Sequence, residues 1–258
     1  MSGAFAAGTL EVAGCRVTLK RGGAGRRVLY LHGANAAPAI QPFMEELARD
    51  FDVLVPEHPG FGGSDEPGWL DNIHDLAYFY LEFMERLDLR DTIVIGSSIG
   101  GWLALEIAVR NASRIRALSL VAPSGIHVAG LAKGDVFLWP PEERVRKLFF
   151  DQGVAERVLA QAAVPQDADE KNLHTLARLA WEPRFYDPHL SKWLHRIKVP
   201  LQIVWGECDR LLAPEHAAEY KKLMPHARVD IVPQCGHLPQ SEKPDAYLRL
   251  FREFASAI

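Results

Sequence analysis

A chain of 258 residues, 48% apolar and 24% charged, has the make-up of an ordinary globular protein, which excludes a disordered chain or a coiled coil. Its formal charge of −4 gives no electrostatic ground for nucleic acid or an anionic membrane as partner. Three scattered cysteines, Cys15, Cys208 and Cys235, supply neither a disulfide framework nor a C-x-x-C pair for zinc or dithiol redox chemistry.

The first eight residues lack a basic n-region and a long apolar core, so no signal peptide is expected. No stretch approaches the roughly 18 uninterrupted apolar residues of a membrane span. Together these predict a soluble, cytoplasmic protein. Residues 9–13 and 15–20 read as two antiparallel strands turning near Gly14, and a glycine-rich turn at 22–25 leads into a third strand at 28–31. Strands at 53–55, 92–95 and 115–121 then alternate with helices at about 72–87 and from about Ser98 onward. These runs are short and rich in Val, Ile and Leu without alternation, the pattern of strands buried on both faces of a parallel sheet. The predicted fold class is α/β, a mostly parallel central sheet with helices on both faces.

That rhythm stops between 126 and 196, where helical patches appear without a convincing buried strand. Pro140-Pro141-Glu142-Glu143 reads as a helix start, and Leu173, Leu176, Ala177 and Ala180 fall on one helical face. The alternation resumes with a strand at 201–205, a helix after Pro214, a strand at 229–232 and a last helix at about 244–254. The expected organisation is a core from 1–125 and 197–258, interrupted by a helical cap at 126–196.

Gly96-Ser97-Ser98-Ile99-Gly100 fits G-x-S-x-G, a pattern expected by chance about 0.06 times in such a chain. It lies between a strand and a helix, where a sharp turn can hold Ser98 in strained geometry. Serine is a weak nucleophile at neutral pH and needs a base oriented by an acid. His237, on the glycine-bracketed loop after the strand at 229–232, is the candidate base. Asp209, after the strand at 201–205, is the candidate acid, with Glu207 as its rival. Backbone N–H groups of Ala34, with Gly33 and Asn35 as the alternatives to it, and of Ile99 are candidates for an oxyanion hole. His32 reads as packing beneath that loop. The chain order Ser98, Asp209, His237 is that of one hydrolase fold and differs from the chymotrypsin and subtilisin orders.

On these motifs, with Pro59-Gly60-Phe61-Gly62-Gly63-Ser64, Val199-Pro200 and Glu242 beside them, the chain resembles an α/β-hydrolase, a capped serine hydrolase related to small esterases and ring-cleavage-product hydrolases. The resemblance spans nearly the whole chain. It implies a Ser98–Asp209–His237 triad, an oxyanion hole at Ala34 and Ile99, and no metal or organic cofactor. The implied activity is hydrolysis of a carboxylic ester, lactone or thioester of a small apolar or aromatic substrate. Carbon–carbon bond hydrolysis of a ring-fission product, or service as a slow small-molecule receptor, are the alternatives. Relatives that cleave carbon–carbon bonds commonly carry asparagine before the nucleophile and tryptophan after the histidine, where this chain has Ser97 and Leu238. Many relatives carry an acid where this chain has His58. The dense aromatic set Phe137, Trp139, Phe149, Phe150, Trp181, Phe185, Tyr186 and Trp193 suggests an apolar pocket in the 126–196 segment. The expected partner is a small-molecule substrate, with no nucleic acid and no membrane, and homo-oligomerisation is left open.

Overall fold

The computed structural model describes residues 5–34, 40–131, 133–161 and 166–258. The opening hairpin joins β1 (Ala6–Val12) to β2 (Cys15–Gly22), with Val12 opposite Cys15. Its two loop residues, Ala13 and Gly14, have φ of 51° and 67°, the double positive-φ turn whose twist matches that of the strands. There follow β3 (Arg26–Leu31), α1 (Pro42–Leu47), β4 (Phe51–Pro56), α2 (Ile73–Arg86), β5 (Thr92–Ser97), α3 (Ile99–Arg110) and β6 (Ile115–Val121). Every residue of β4 and β5 is buried, as strands rich in Val, Ile and Leu in the middle of a sheet covered on both faces require. A reciprocal capping box starts α2: Asn72 accepts from the His74 and Asp75 N–H groups while Asp75 accepts from the Asn72 N–H.

Between β6 and the next strand lie α4 (Pro141–Leu148), α5 (Gln152–Gln161), α6 (Gln166–Ala180), α7 (Leu190–Trp193) and a 3₁₀ turn (Leu194–Arg196), with no strand among the described residues. The entry and exit of this helical segment are pinned together. The Gly125 N–H donates to the Phe185 carbonyl, and the Asp187 N–H donates back to the Gly125 carbonyl, each at 3.1 Å. The chain ends with β7 (Leu201–Gly206), α8 (His216–Leu223), β8 (Arg228–Val232), α9 (Pro239–Glu242) and α10 (Pro244–Ser256).

The eight strands form one sheet in the order β1-β2-β4-β3-β5-β6-β7-β8, antiparallel at β1/β2 and β2/β4 and parallel elsewhere. One face packs a core containing Phe83, Trp102 and Trp205, into which Leu176 of α6 also reaches. The other packs Phe43 of α1 against Tyr247 of α10, and Phe51 of β4 against Phe251. The six parallel strands end on a common edge, so that the loops following Leu31, Ser97, Gly206 and Val232 gather there. The sequence pattern did not predict α1 and α9, which are six and four residues long and therefore too short to show a helical period.

Candidate active site

Ser98 stands between β5 and α3 with φ 55° and ψ −117°, a left-handed conformation that costs a non-glycine residue about 1–3 kcal/mol. The strain is held from both sides. The Ser98 N–H donates to the Val121 carbonyl at 2.9 Å, while its own carbonyl accepts from the Gly101, Trp102 and Ser124 N–H groups. Gly100 must be glycine because a Cβ there would sit 2.6 Å from the Leu31 carbonyl carbon. That close approach brings the end of β3 against the start of α3. A Cβ placed on Gly33 would in turn lie 3.5 Å from Ser98 Cβ, so the loop carrying Gly33 and Ala34 borders the nucleophile candidate. Ile99 is the first residue of α3, a position whose N–H has no acceptor within the helix. Asn35 lies outside the described residues.

Asp209 and His237 meet. The His237 Nδ1–H donates to Asp209 Oδ2 at 2.7 Å, with both side chains buried. Asp209 Oδ2 also accepts from Trp205 Nε1 (3.0 Å), and Oδ1 accepts from the Leu211 (2.8 Å) and Leu212 (3.0 Å) N–H groups. These contacts fix the carboxylate and leave the imidazole with its proton on Nδ1 and its lone pair on Nε2. His237 Nε2 is buried without a hydrogen-bond partner, so it is not bonded to Ser98 Oγ here. Such catalytic hydrogen bonds often close only when substrate binds. The rival Glu207 is exposed and accepts from the Gln234 N–H at 3.0 Å, away from His237.

The helical segment reaches this site through contacts the sequence pattern did not show. The Leu148 carbonyl at the end of α4 accepts from the His237 N–H at 2.8 Å. Buried Glu242 of α9 accepts from the Gly236 N–H through Oε2 (2.7 Å) and from the Asp151 N–H through Oε1 (2.6 Å). The Gly134 N–H donates to the Leu211 carbonyl at 2.8 Å, beside the amides that hold Asp209. Three of the eight aromatic residues named in the sequence contact one another. Phe137 stacks on Phe185 (5.4 Å) and meets Trp181 edge-on (5.2 Å), with the Arg184 guanidinium over the Trp181 ring at 4.0 Å. Trp193 is half exposed.

Among the described residues, one cluster of metal-ligating type, His74, Glu106 and Asp187, brings its ligand atoms within 4.8 Å of one another. It already holds a cation: Arg110 pairs with Glu106 and donates to His74 Nδ1 at 2.7 Å. Trp102 Nε1 satisfies the other Glu106 oxygen at 2.9 Å, so these residues form a structural ion-pair network.

The sequence profile of the alpha/beta hydrolase family matches residues 28–250. The 2-hydroxy-6-oxo-6-phenylhexa-2,4-dienoate hydrolase of Burkholderia cepacia is 27% identical, over 93% of this chain and 91% of its own. Lipase 1 of Psychrobacter immobilis is 24% identical, over 91% of this chain and 78% of its own. A solved meta-cleavage product hydrolase, CumD, superposes with a TM-score of 0.84 over 97% of this chain and 98% of its own, at 20% identity. A profile match over most of the chain, on a sheet whose strand ends carry Ser98, Asp209 and His237, establishes that this protein belongs to the alpha/beta hydrolase family and is a hydrolase.

Proposed function

We propose that the protein is a serine hydrolase that cleaves a carboxylic ester, or a related lactone or thioester, of a small apolar or aromatic substrate. The observation that carries this reading is the strained Ser98 elbow sharing one sheet edge with a buried Asp209–His237 pair whose Nε2 lone pair is unpartnered. His237 Nε2 takes the proton from Ser98 as its oxygen attacks the substrate carbonyl. The N–H groups of Ala34 and Ile99 bind the oxyanion, and His237 passes the proton to the departing alcohol. Water then attacks the acyl-enzyme by the same route. Asp209 holds the His237 tautomer and stabilises the imidazolium. The 126–196 segment acts as a cap over the site, and the core is formed by 1–125 and 197–258. The enzyme needs no metal or organic cofactor and works in the cytoplasm.

Two residues favour ester over carbon–carbon cleavage. The Ser97 hydroxyl is buried and accepts from Gln240 Nε2 at 3.0 Å, and Leu238 follows the histidine, where the resemblance expects asparagine and tryptophan in carbon–carbon hydrolases. The second reading, cleavage of a dienoic ring-fission product, rests on the named activity of the Burkholderia cepacia relative. Ser98→Ala should abolish turnover of short p-nitrophenyl esters, and undiminished activity would overturn the assignment. Faster turnover of a coloured ring-fission product than of any ester would select the second reading.

A further inference from the structure

Two histidines lie stacked beneath the loop that carries Gly33 and Ala34. The rings of His32 and His58 are 3.7 Å apart between centroids and 23° from parallel, and both residues are buried. Phe61 meets each ring edge-on, and Tyr80 meets that of His58. Their hydrogen bonds define the tautomer of each ring. The His58 backbone N–H donates to His32 Nε2 at 3.0 Å, so that nitrogen is an acceptor and the His32 proton sits on Nδ1. His32 Nδ1–H then donates to the Gly33 carbonyl at 2.7 Å. His58 Nε2 faces the His32 carbonyl at 3.0 Å and must be the donor there. That leaves His58 Nδ1 to accept from the Tyr80 hydroxyl at 2.6 Å. Both rings are thereby neutral and fixed in orientation.

The consequence lies in the peptide bonds they hold. In a trans peptide the C=O and N–H point in opposite directions. With the Gly33 carbonyl turned to His32, the N–H of Ala34 points away from the ring pair. With the His32 carbonyl turned to His58, the N–H of Gly33 does the same. Successive N–H groups presented on one side form an anion-binding concavity, and this one belongs to the loop that borders Ser98. We infer that His32 and His58 are positioning residues that set the Gly33 and Ala34 peptides with their N–H groups toward an oxyanion formed at Ser98. The inference rests on the serine-hydrolase reading above and adds to it the origin of the oxyanion hole's orientation. It also gives a role to His58, at the position where relatives commonly carry an acid. A neutral imidazole donor aims the His32 carbonyl without placing a buried negative charge near a developing oxyanion.

The test separates a positioning role from packing. An asparagine side chain places an amide N–H near the position of Nδ1, and a glutamine side chain places one near that of Nε2. His32→Leu is expected to lower kcat on a p-nitrophenyl ester by about 10²-fold, the scale of a lost oxyanion donor, with little change in KM. Affinity for a trifluoromethyl ketone should fall in parallel, and the acyl-enzyme carbonyl stretch should rise in frequency. His32→Asn should restore most of each quantity. His58→Phe, which preserves the ring stack and the backbone donor to His32, should show a smaller loss that His58→Gln recovers. It also provides the readout if His32→Leu does not fold. Wild-type ketone affinity and carbonyl frequency in His32→Leu and His58→Phe, with only a lowered Tm, would overturn the inference and leave the serine-hydrolase reading intact. A wild-type chain that forms no acyl-enzyme at Ser98 would overturn both.

Discussion

Asp209 uses both carboxylate oxygens fully: Oδ1 takes two backbone N–H groups, and Oδ2 takes the Trp205 indole and the His237 imidazole. All four partners are donors, two on each oxygen, so an amide at this position must turn its NH₂ toward two of them. The pair disturbed most simply is that on Oδ2, where the His237 ring can change its tautomer to match and the Trp205 indole keeps its bond to the Leu212 carbonyl. Asp209→Asn should therefore leave the fold in place, by circular dichroism, while kcat falls about 10⁴-fold, the cost of the wrong tautomer in such a triad. A loss below tenfold would exclude Asp209 as the orienting acid. The choice between Asp209 and Glu207 was open in the sequence because both follow β7 within three residues. The turn buries Asp209 against His237 and leaves Glu207 exposed. His58 carries a different prediction at this scale. Burial, together with neighbouring His32, pushes its pKa well below the usual histidine range. Unfolding lets it take up a proton, so its neutral burial favours the unfolded state as pH falls below about 6.5 toward its folded value. Tm measured from about pH 7.5 down to about pH 5.5 should fall more steeply in the wild type than in His58→Gln, which has no such proton to gain. Parallel slopes would contradict the assignment of a neutral, buried His58.

At the scale of elements, the site is held by a junction between α4, α5 and the His237 loop. Glu242 bridges the Gly236 and Asp151 N–H groups, and the Leu148 carbonyl holds the His237 N–H directly. Glutamine at 242 keeps one carbonyl oxygen but sets its NH₂ against an N–H donor. It thereby loses a charge-assisted bond and leaves a buried donor unpaired, at about 2 kcal/mol. Glu242→Gln should lower Tm by about 5 °C on that basis, and should lower kcat more than it raises KM because the His237 loop is displaced. An unchanged Tm would show that the junction contributes nothing to folding. Most of these elements could be read from the chain: β5 and β7 as short runs rich in Val, Ile and Leu, α2 as a helix at about 72–87, α4 from its two prolines, and α6 from the 3.6-residue spacing of its apolar face. The junction could not. Its partners are a carbonyl at 148 and amides at 151, 236 and 237, and backbone groups are present at every residue whatever the side chain. The carboxylate of Glu242 was visible in the sequence, but what it joins was set only by the packing that brings α9 to Asp151, just ahead of α5.

For the whole molecule, the question is how firmly the helical segment between β6 and β7 is fixed to the sheet. Besides the pinned root at Gly125 and the junction at Glu242, α6 grips the loop of residues 59–64. Lys171 Nζ donates to the Gly62 (2.9 Å) and Ser64 (2.7 Å) carbonyls, the Thr175 hydroxyl donates to the Gly60 carbonyl (2.7 Å), and Asn172 Oδ1 accepts from the Gly62 N–H (3.0 Å). These bonds satisfy polar groups of a turn-rich loop that would otherwise meet water, so they tie the segment to the core at a point far in sequence from its root. The same glycines that mark the loop in the sequence leave its carbonyls uncovered by side chains, which is why α6 can bond them directly. Opening of the segment is then a local unfolding event whose cost includes these contacts. Lys171→Met with Thr175→Val removes three of the four donor–acceptor pairs while leaving the sheet and the Ser98, Asp209 and His237 positions untouched. Losing about 1.4 kcal/mol of local stability corresponds to a tenfold rise in the open population. Limited proteolysis should therefore cut the double variant within 126–196 about ten times faster than the wild type, at sites the wild type also offers but more slowly. Because the substitutions leave the apolar clusters on both faces of the sheet unchanged, the global Tm should fall by only a few degrees. Equal cleavage rates would mean that α6 is held by its apolar face alone, with Leu176 and Leu179 rather than the polar grip setting how the segment rests on the sheet.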